Sequence, residues 1–286
     1  MNQRNLICAK HLWLGLLVIT AGVITGCAKN PAEHLRQRLA QLGDTRLDHA
    51  IRQSMVATGG IETWAHLQRI DGQAVAALAD TQGGKTLIQQ QHVIVPGERV
   101  MISVSSKETN GVLLEWLDNK GRVQTIFQGE PGQVSLNPEM IDLYAAALRL
   151  RLLSQAMTGA MGLLQKDFIL RYAGQERQGG RQTYKIEVTG PILGQDQFDY
   201  GRTGNLLTVW IDAETFLFEK LWLRYHKDNS EFGYLALNIA DYAQTSEGLV
   251  LPRHIEFVHS DEYQQFGHQY IMTLEYQKLQ VTQLEK

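Results

Sequence analysis

Three clusters combine residue types and spacings that could do chemistry. Ala79-Asp80-Thr81-Gln82-Gly83-Gly84-Lys85-Thr86 satisfies the relaxed form of a phosphate-binding loop, with alanine at its usual first glycine. Such a loop works by entering a helix whose first amides help hold the phosphate. Here it is followed by Leu87-Ile88-Gln89-Gln90-Gln91-His92-Val93-Ile94-Val95, a β-rich run after a Gly-Gly turn, which predicts a hairpin. His254 and Glu256 could share one strand face as an acid/base pair, with Leu251, Ile255 and Phe257 on the other face. Solvent-facing polar residues on a half-buried strand give the same pattern, and that is the preferred reading. Asp196 and Asp199, in Gln195-Asp196-Gln197-Phe198-Asp199-Tyr200-Gly201, fall short of a calcium loop and read as a polar loop. The 9 histidines form no H-E-x-x-H, and the chain holds no C-x-x-C and no G-x-S-x-G. The expectation is a binding protein and not an enzyme, with no catalytic residue, metal or cofactor.

The remaining reactive position is Cys27. Arg4 and Lys10 supply a positive start, with no acid before Glu33, and Leu12 to Ile24 is an uncharged, mostly apolar run. That run is shorter than the ~20 residues of a membrane-spanning helix and reads as the core of a cleavable signal. It ends Ile24-Thr25-Gly26-Cys27, an aliphatic residue and two small ones before a cysteine, which is similar to a bacterial lipobox. The chain is therefore expected to be cut before Cys27, which would carry diacylglycerol and an amide-linked acyl chain such as palmitate. Cleavage would leave 25 Lys+Arg against 30 Asp+Glu, because Arg4 and Lys10 are the only charged residues removed from the 27 Lys+Arg. Cys8 would be lost and Cys27 lipidated, so no intramolecular disulfide is expected. Ala28 stands where an Asp would favour inner-membrane retention, so the expected address is the periplasmic face of the outer membrane. The anchor would make the membrane a partner.

Composition bounds the rest. With 286 residues, 44% hydrophobic and 20% charged, the chain reads as folded and not as disordered or low-complexity. A formal charge of -3 and the lack of a dense basic block argue against nucleic acid. Oligomeric state is not legible.

Asn30, Pro31 and Glu33 read as cap, first and third positions of a helix carrying Leu35, Leu39 and Leu42 until Gly43. Asp44 or Thr45 can cap a second helix with Leu47, Ile51 and Met55, ended by Gly59 and Gly60, and Ile61 to Leu67 can add a turn. From Gln68 the period becomes alternating. Strands are predicted near 68 to 79, 86 to 95, 99 to 105, 111 to 118 and 122 to 128, then 168 to 176, 181 to 189, 204 to 212, 217 to 227, 231 to 243, 248 to 259 and 268 to 282. Their short turns imply antiparallel neighbours in one continuous sheet. Between the two runs of strands, Asn137 and Pro138 open a helical stretch to about Gln165. Within it Leu143 to Leu153 is apolar except for Arg149 and Arg151, which makes a membrane span unlike it. Met140, Leu143, Ala147, Leu150 and Met157 are separated by helical steps and can share one face. That face is the expected lipid-binding surface, although an ordinary core helix would read the same way. The domain organisation expected is a signal peptide over 1–26, an anchored segment with a short helix over 27–44, and one domain over 45–286 with its helical insertion at about 137–165.

Gly59-Gly60-Ile61, Trp64 and Leu67 before the first strand, Val209-Trp210-Ile211-Asp212 with Thr215 at a hairpin turn, and Gly248-Leu249-Val250-Leu251-Pro252 entering a late strand resemble patterns in the LolA/LolB-like group of lipoprotein carriers and envelope lipoproteins. The resemblance covers about Thr45 to Gln283. It implies a mainly β fold with α: an open, strongly curved antiparallel half-barrel of about 11–12 strands with a helical lid. It also implies an apolar hollow that binds an acyl chain or a lipidated protein in lipoprotein or lipid trafficking. The alternative is a non-enzymatic envelope scaffold or stress-sensing module, filled inside, that binds protein at its rim; exposed Trp210 or Trp222 could then be anchors, although buried core is the preferred reading for each.

Overall fold

The N-terminal helices form where the capping signals stand. In the computed structural model, which describes residues 31–79, 85–96, 99–105, 112–117, 123–128, 143–164, 168–189, 206–226 and 232–284, α1 spans Pro31–Ala40, α2 Thr45–Ala57 and α3 Gly60–Ala65. The Asp44 carboxylate caps α2, accepting from the amides of Arg46 at 2.8 Å and Leu47 at 3.1 Å. Leu47, Ala50, Ile51 and Met55 form the buried stripe of α2, and Leu35 and Leu39 of α1 enter the same core. The segment expected to tether the domain is thus also part of it.

Twelve strands follow: β1 (Leu67–Ala79), β2 (Lys85–Val95), β3 (Arg99–Ser105), β4 (Val112–Leu117), β5 (Val123–Gln128), β6 (Ile169–Gln178), β7 (Arg181–Thr189), β8 (Leu206–Asp212), β9 (Phe218–His226), β10 (Phe232–Gln244), β11 (Val250–Ser260) and β12 (Phe266–Gln283). They form one antiparallel sheet in the order β5-β4-β3-β2-β1-β12-β11-β10-β9-β8-β7-β6. Two meanders are joined by the long β1/β12 pairing, Leu67↔Gln283 to Leu78↔Met272. The edges β5 and β6 do not pair, so the sheet is open. Laid flat it would be over ~50 Å wide at ~4.8 Å per strand.

The helix between the two edge strands shows how the sheet curls. α4 (Leu143–Leu164) follows β5 and precedes β6, so the chain crosses from one edge to the other. It touches β3, β4 and β5 on one side, β9 and β11 on the other, and α1 and α2. The result is a half-barrel: a sheet wrapped around α4, with α1 and α2 packed against the helix. Alternation assigns the faces. Ile70, Ala74 and Ala76 of β1, Val209 and Ile211 of β8, Leu221 and Leu223 of β9, Ile255 and Phe257 of β11, and Leu274 of β12 are buried in the main core.

The convex face carries a second, smaller cluster of Trp210, Trp222, Ala236 and Val258. The turn between β11 and β12 covers it. Trp222 donates its indole N–H to the Asp261 carbonyl at 3.1 Å, and Lys185 donates to Gln264 at 2.6 Å. Trp210 and Trp222 are 0% and 2% exposed, so as they stand neither can anchor a partner.

The boundaries of the sequence reading differ little from those observed. Of the helical insertion expected at 137–165, the helix described is Leu143–Leu164, and positions 137–142 and 165 fall outside the described residues.

Candidate functional site

The concave interior is built from the inward residues of the strands and from α4. From Leu148 onward α4 is buried almost all round: Leu148, Leu150, Leu152, Leu153, Ala156, Met157, Ala160, Met161, Leu163 and Leu164 are each at most 2% exposed. A helix apolar on every side belongs inside a core. Leu150 and Met157 of the expected lipid-binding face are both there. Leu143 and Ala147 lie in the backbone of α4, and Met140 falls outside the described residues. The expectation of one apolar face undercounts the helix, because the opposite side is also buried, against α1 and α2. Arg149 and Arg151 are half-buried.

α4 is bent. Gly159 has φ 53° and ψ −134°, a left-handed conformation that side chains avoid. The break exposes backbone acceptors inside the core, and neighbouring polar side chains act on them. Gln155 Nε2 donates to the Gly159 carbonyl at 2.7 Å, and Thr158 Oγ1 to the Ser154 carbonyl at 2.7 Å. Gly162 leaves room for this arrangement, since a Cβ there would lie 2.2 Å from Thr158 Oγ1.

One polar constellation is set into the apolar wall. His92 on β2 and Tyr276 on β12 flank Gly72 of β1, whose Cβ would lie 2.5 Å from the Tyr276 ring. Burial holds the His92 imidazole neutral, lowering its pKa to about 4. The Tyr276 hydroxyl, pushed upward by burial, therefore donates to His92 Nδ1 at 2.6 Å, and His92 Nε2–H donates to Gln90 Oε1 at 2.8 Å. Both ring nitrogens are engaged, so this arrangement ties β2 to β12 across β1. Sequence reasoning missed it; a glycine inside a strand was its signal.

The other sequence candidates are structural or lie elsewhere. The phosphate-loop match spans the connection from β1 to β2: Ala79 pairs with Lys85, the strand β2 and not a helix follows, and residues 80–84 fall outside the described residues. His254 faces outward on β11, between Glu256, at 3.1 Å, and Glu275. Burial opposes its charge, but hydrogen bonds to the two carboxylates raise its pKa. Among the described residues no group of His, Cys, Asp and Glu could hold a metal ion, and no helix is long and apolar enough to cross a membrane. Cys27, Asn30, Asp196 and Asp199 fall outside the described residues.

Two of the short patterns quoted above, Gly59 to Leu67 and Gly248 to Pro252, meet in space. Gly59, at φ 121°, abuts the β10–β11 turn, where a Cβ would lie 2.8 Å from the Gly248 carbonyl oxygen. Thr58 accepts from the Val250 amide at 3.2 Å, and Trp64 donates to Thr58 Oγ1 at 3.0 Å. Asp212, 1% exposed, accepts from the amides of Glu214 and Thr215 and from Thr215 Oγ1, tying the β8–β9 turn.

No protein-family model matches the chain. No curated protein matches it either. Among solved structures it is similar to a LolA superfamily protein from Nitrosomonas europaea, at 12% identity over 83% of this chain and 94% of that one, TM-score 0.49. It is similar to a domain from Vibrio parahaemolyticus described as a candidate outer membrane lipoprotein-sorting protein, at 12% identity over 83% and 93%, TM-score 0.47. A DUF1329 family protein from Desulfovibrio piger shares 10% identity over 88% and 94%, TM-score 0.48.

Proposed function

We propose that the chain is a lipid-anchored envelope protein that binds an acyl chain, free or carried by a lipidated protein, inside the half-barrel, and that it catalyses no reaction. The observation that carries this reading is the placement of α4. An apolar helix with a glycine bend occupies the concavity between an apolar sheet and α1/α2. Movement of α4 about Gly159 would uncover a wall of aliphatic side chains, and burying an acyl chain against it contributes roughly 0.8 kcal/mol per methylene. Lipidation of Cys27 would hold the domain at the periplasmic face of the outer membrane, where such chains are presented, and would suit a role in lipoprotein or lipid trafficking.

The same burial supports a second reading, in which α4 is a permanent filling and the chain is a scaffold or sensing module. Charge at Leu150 cannot separate the two cleanly, because that side chain is 0% exposed and a carboxylate there would destabilise either core. A photoactivatable fatty acid separates them. Crosslinks on α4 and on inward residues such as Leu221 and Leu274, with faster amide exchange across 148–164, are expected for a binding interior. Crosslinks confined to the convex face, or none, would leave the filled scaffold.

A further inference from the structure

A pocket of about 410 Å³ lies where α2 meets the edge strand β6 and its neighbour β7, lined by Thr45, Arg46, His49, Tyr172, Gln175 and Tyr184. Its volume is in the range of small-ligand sites. We propose that this pocket holds the anionic head group, phosphate or carboxylate, of an amphiphile whose acyl chain enters the half-barrel; the assignment rests on the acyl-binding reading above.

Three observations converge on it. First, the lining charge is one-sided. Arg46 supplies a guanidinium, its Cζ 5.8 Å from the centre of the Tyr172 ring, and among the described residues no carboxylate lines the pocket. The neighbouring acids are engaged, Asp44 with the amides of Arg46 and Leu47, and Asp48 with Arg52 at 2.6 Å. Because Asp44 occupies those amides, recognition falls to side chains. Arginine, two phenols, an amide, an imidazole and a hydroxyl together suit an oxyanion with several acceptor atoms.

Second, a β-bulge brings a polar group into the pocket. The β6/β7 register runs Tyr172↔Ile186, then Gly174↔Lys185 and Gln175↔Tyr184, leaving Ala173 as the extra residue. Were Ala173 paired in a regular ladder, Gln175 would stand opposite Thr183, on the convex side. With Ala173 as the bulge, Gln175 shares the concave side with Tyr184. Gly174, at φ 123°, allows the turn of the backbone.

Third, the back of the pocket is the apolar core. Tyr172, Tyr184 and the adjoining Leu170 and Phe216 all pack against it. Tyr184 stacks on Phe216 at 6.0 Å, and His49 meets Phe216 edge-on at 5.5 Å. A ligand here has water and Arg46 on one side and the half-barrel interior on the other, which matches an amphiphile better than a fully hydrated ion.

The test is calorimetric titration of the full-length protein in phosphatidylcholine nanodiscs, with empty nanodiscs subtracted, using hexyl phosphate, hexanol and inorganic phosphate. Hexyl phosphate should bind at least about tenfold more tightly than hexanol or inorganic phosphate, the scale of one charge-assisted hydrogen bond. Arg46→Gln should abolish the preference over hexanol, and Arg46→Lys should restore part of it; Arg46 is exposed, so neither change threatens the fold. A preference that survives Arg46→Gln, or hexyl phosphate binding no better than hexanol, overturns the assignment. Inorganic phosphate binding as tightly as hexyl phosphate makes this a free-anion site and overturns the head-group role. Fatty-acid crosslinking inside the barrel with no phosphate preference is failure of the pocket alone, whereas loss of crosslinking and of all amphiphile binding is failure of the acyl-binding reading.

Discussion

Acidification should destabilise the fold through His92, and the size of the effect follows from its site. The imidazole is 1% exposed, accepts from Tyr276 on one nitrogen and donates to Gln90 from the other, and titrates near pH 4 against 6.5 when unfolded. Above pH 6.5 it is neutral in both states and contributes no pH dependence. Between pH 6.5 and 4 the unfolded chain binds a proton that the folded chain does not, so stability falls as pH falls. The slope approaches ~1.4 kcal/mol per pH unit and the total is about 3 kcal/mol. The folded state resists protonation because burial strips water from the charged imidazolium. Urea unfolding at pH 7.0, 5.5 and 4.5 measures the slope in the wild type and in His92→Gln, which retains an amide oxygen toward Tyr276 but cannot titrate. Carboxylates contribute to both proteins alike, so the difference between the two slopes isolates His92. Equal slopes would refute the reasoning, and so would a wild type whose stability is flat from pH 6.5 to 4.5.

Other perturbations test other parts of the fold. Gly159→Ala should cost about 1–2 kcal/mol in urea unfolding from the backbone alone, since φ is 53° and, beyond its own helix backbone and chain neighbours, no atom of the described residues lies within 4 Å of the new Cβ; if the bend serves lipid entry, acyl crosslinking inside the barrel should fall as well. Gly59→Ala combines φ 121° with a 2.8 Å approach to the Gly248 carbonyl oxygen and should cost more, about 2–4 kcal/mol, read as a lowered Tm. Asp212→Ala removes three hydrogen bonds from a buried turn and should cost about 2–3 kcal/mol by the same measurement. Cys27→Ser should abolish metabolic palmitate labelling and leave the chain unprocessed or detached from the membrane; labelling at the wild-type level would end the lipobox reading.

The sequence by itself determined the elements and their neighbours. Alternation and turn residues placed twelve strands within a few residues of their observed ends, because a half-buried antiparallel strand must alternate and a tight turn demands particular residues. The cap at Asp44 and the stop at Gly59 were legible for the same local reason. Tertiary structure alone decided what lies inside the curl. Leu150 and Met157 repeat at helical spacing whether a helix covers one face of a core or is enclosed by it, and only the crossing from edge β5 to edge β6 puts α4 within the sheet. Trp210 and Trp222 alternate like surface residues until the β11–β12 turn folds over them. His92 and Tyr276 are separated by 184 positions, and they meet with Gln90 because β1 pairs with β2 on one side and β12 on the other. The pocket around Arg46 depends on one extra residue in β6 that moves Gln175 to the other face of the sheet. Spacing along a chain encodes which face a side chain takes within its own element, whereas which elements then enclose it is fixed by pairings between distant residues.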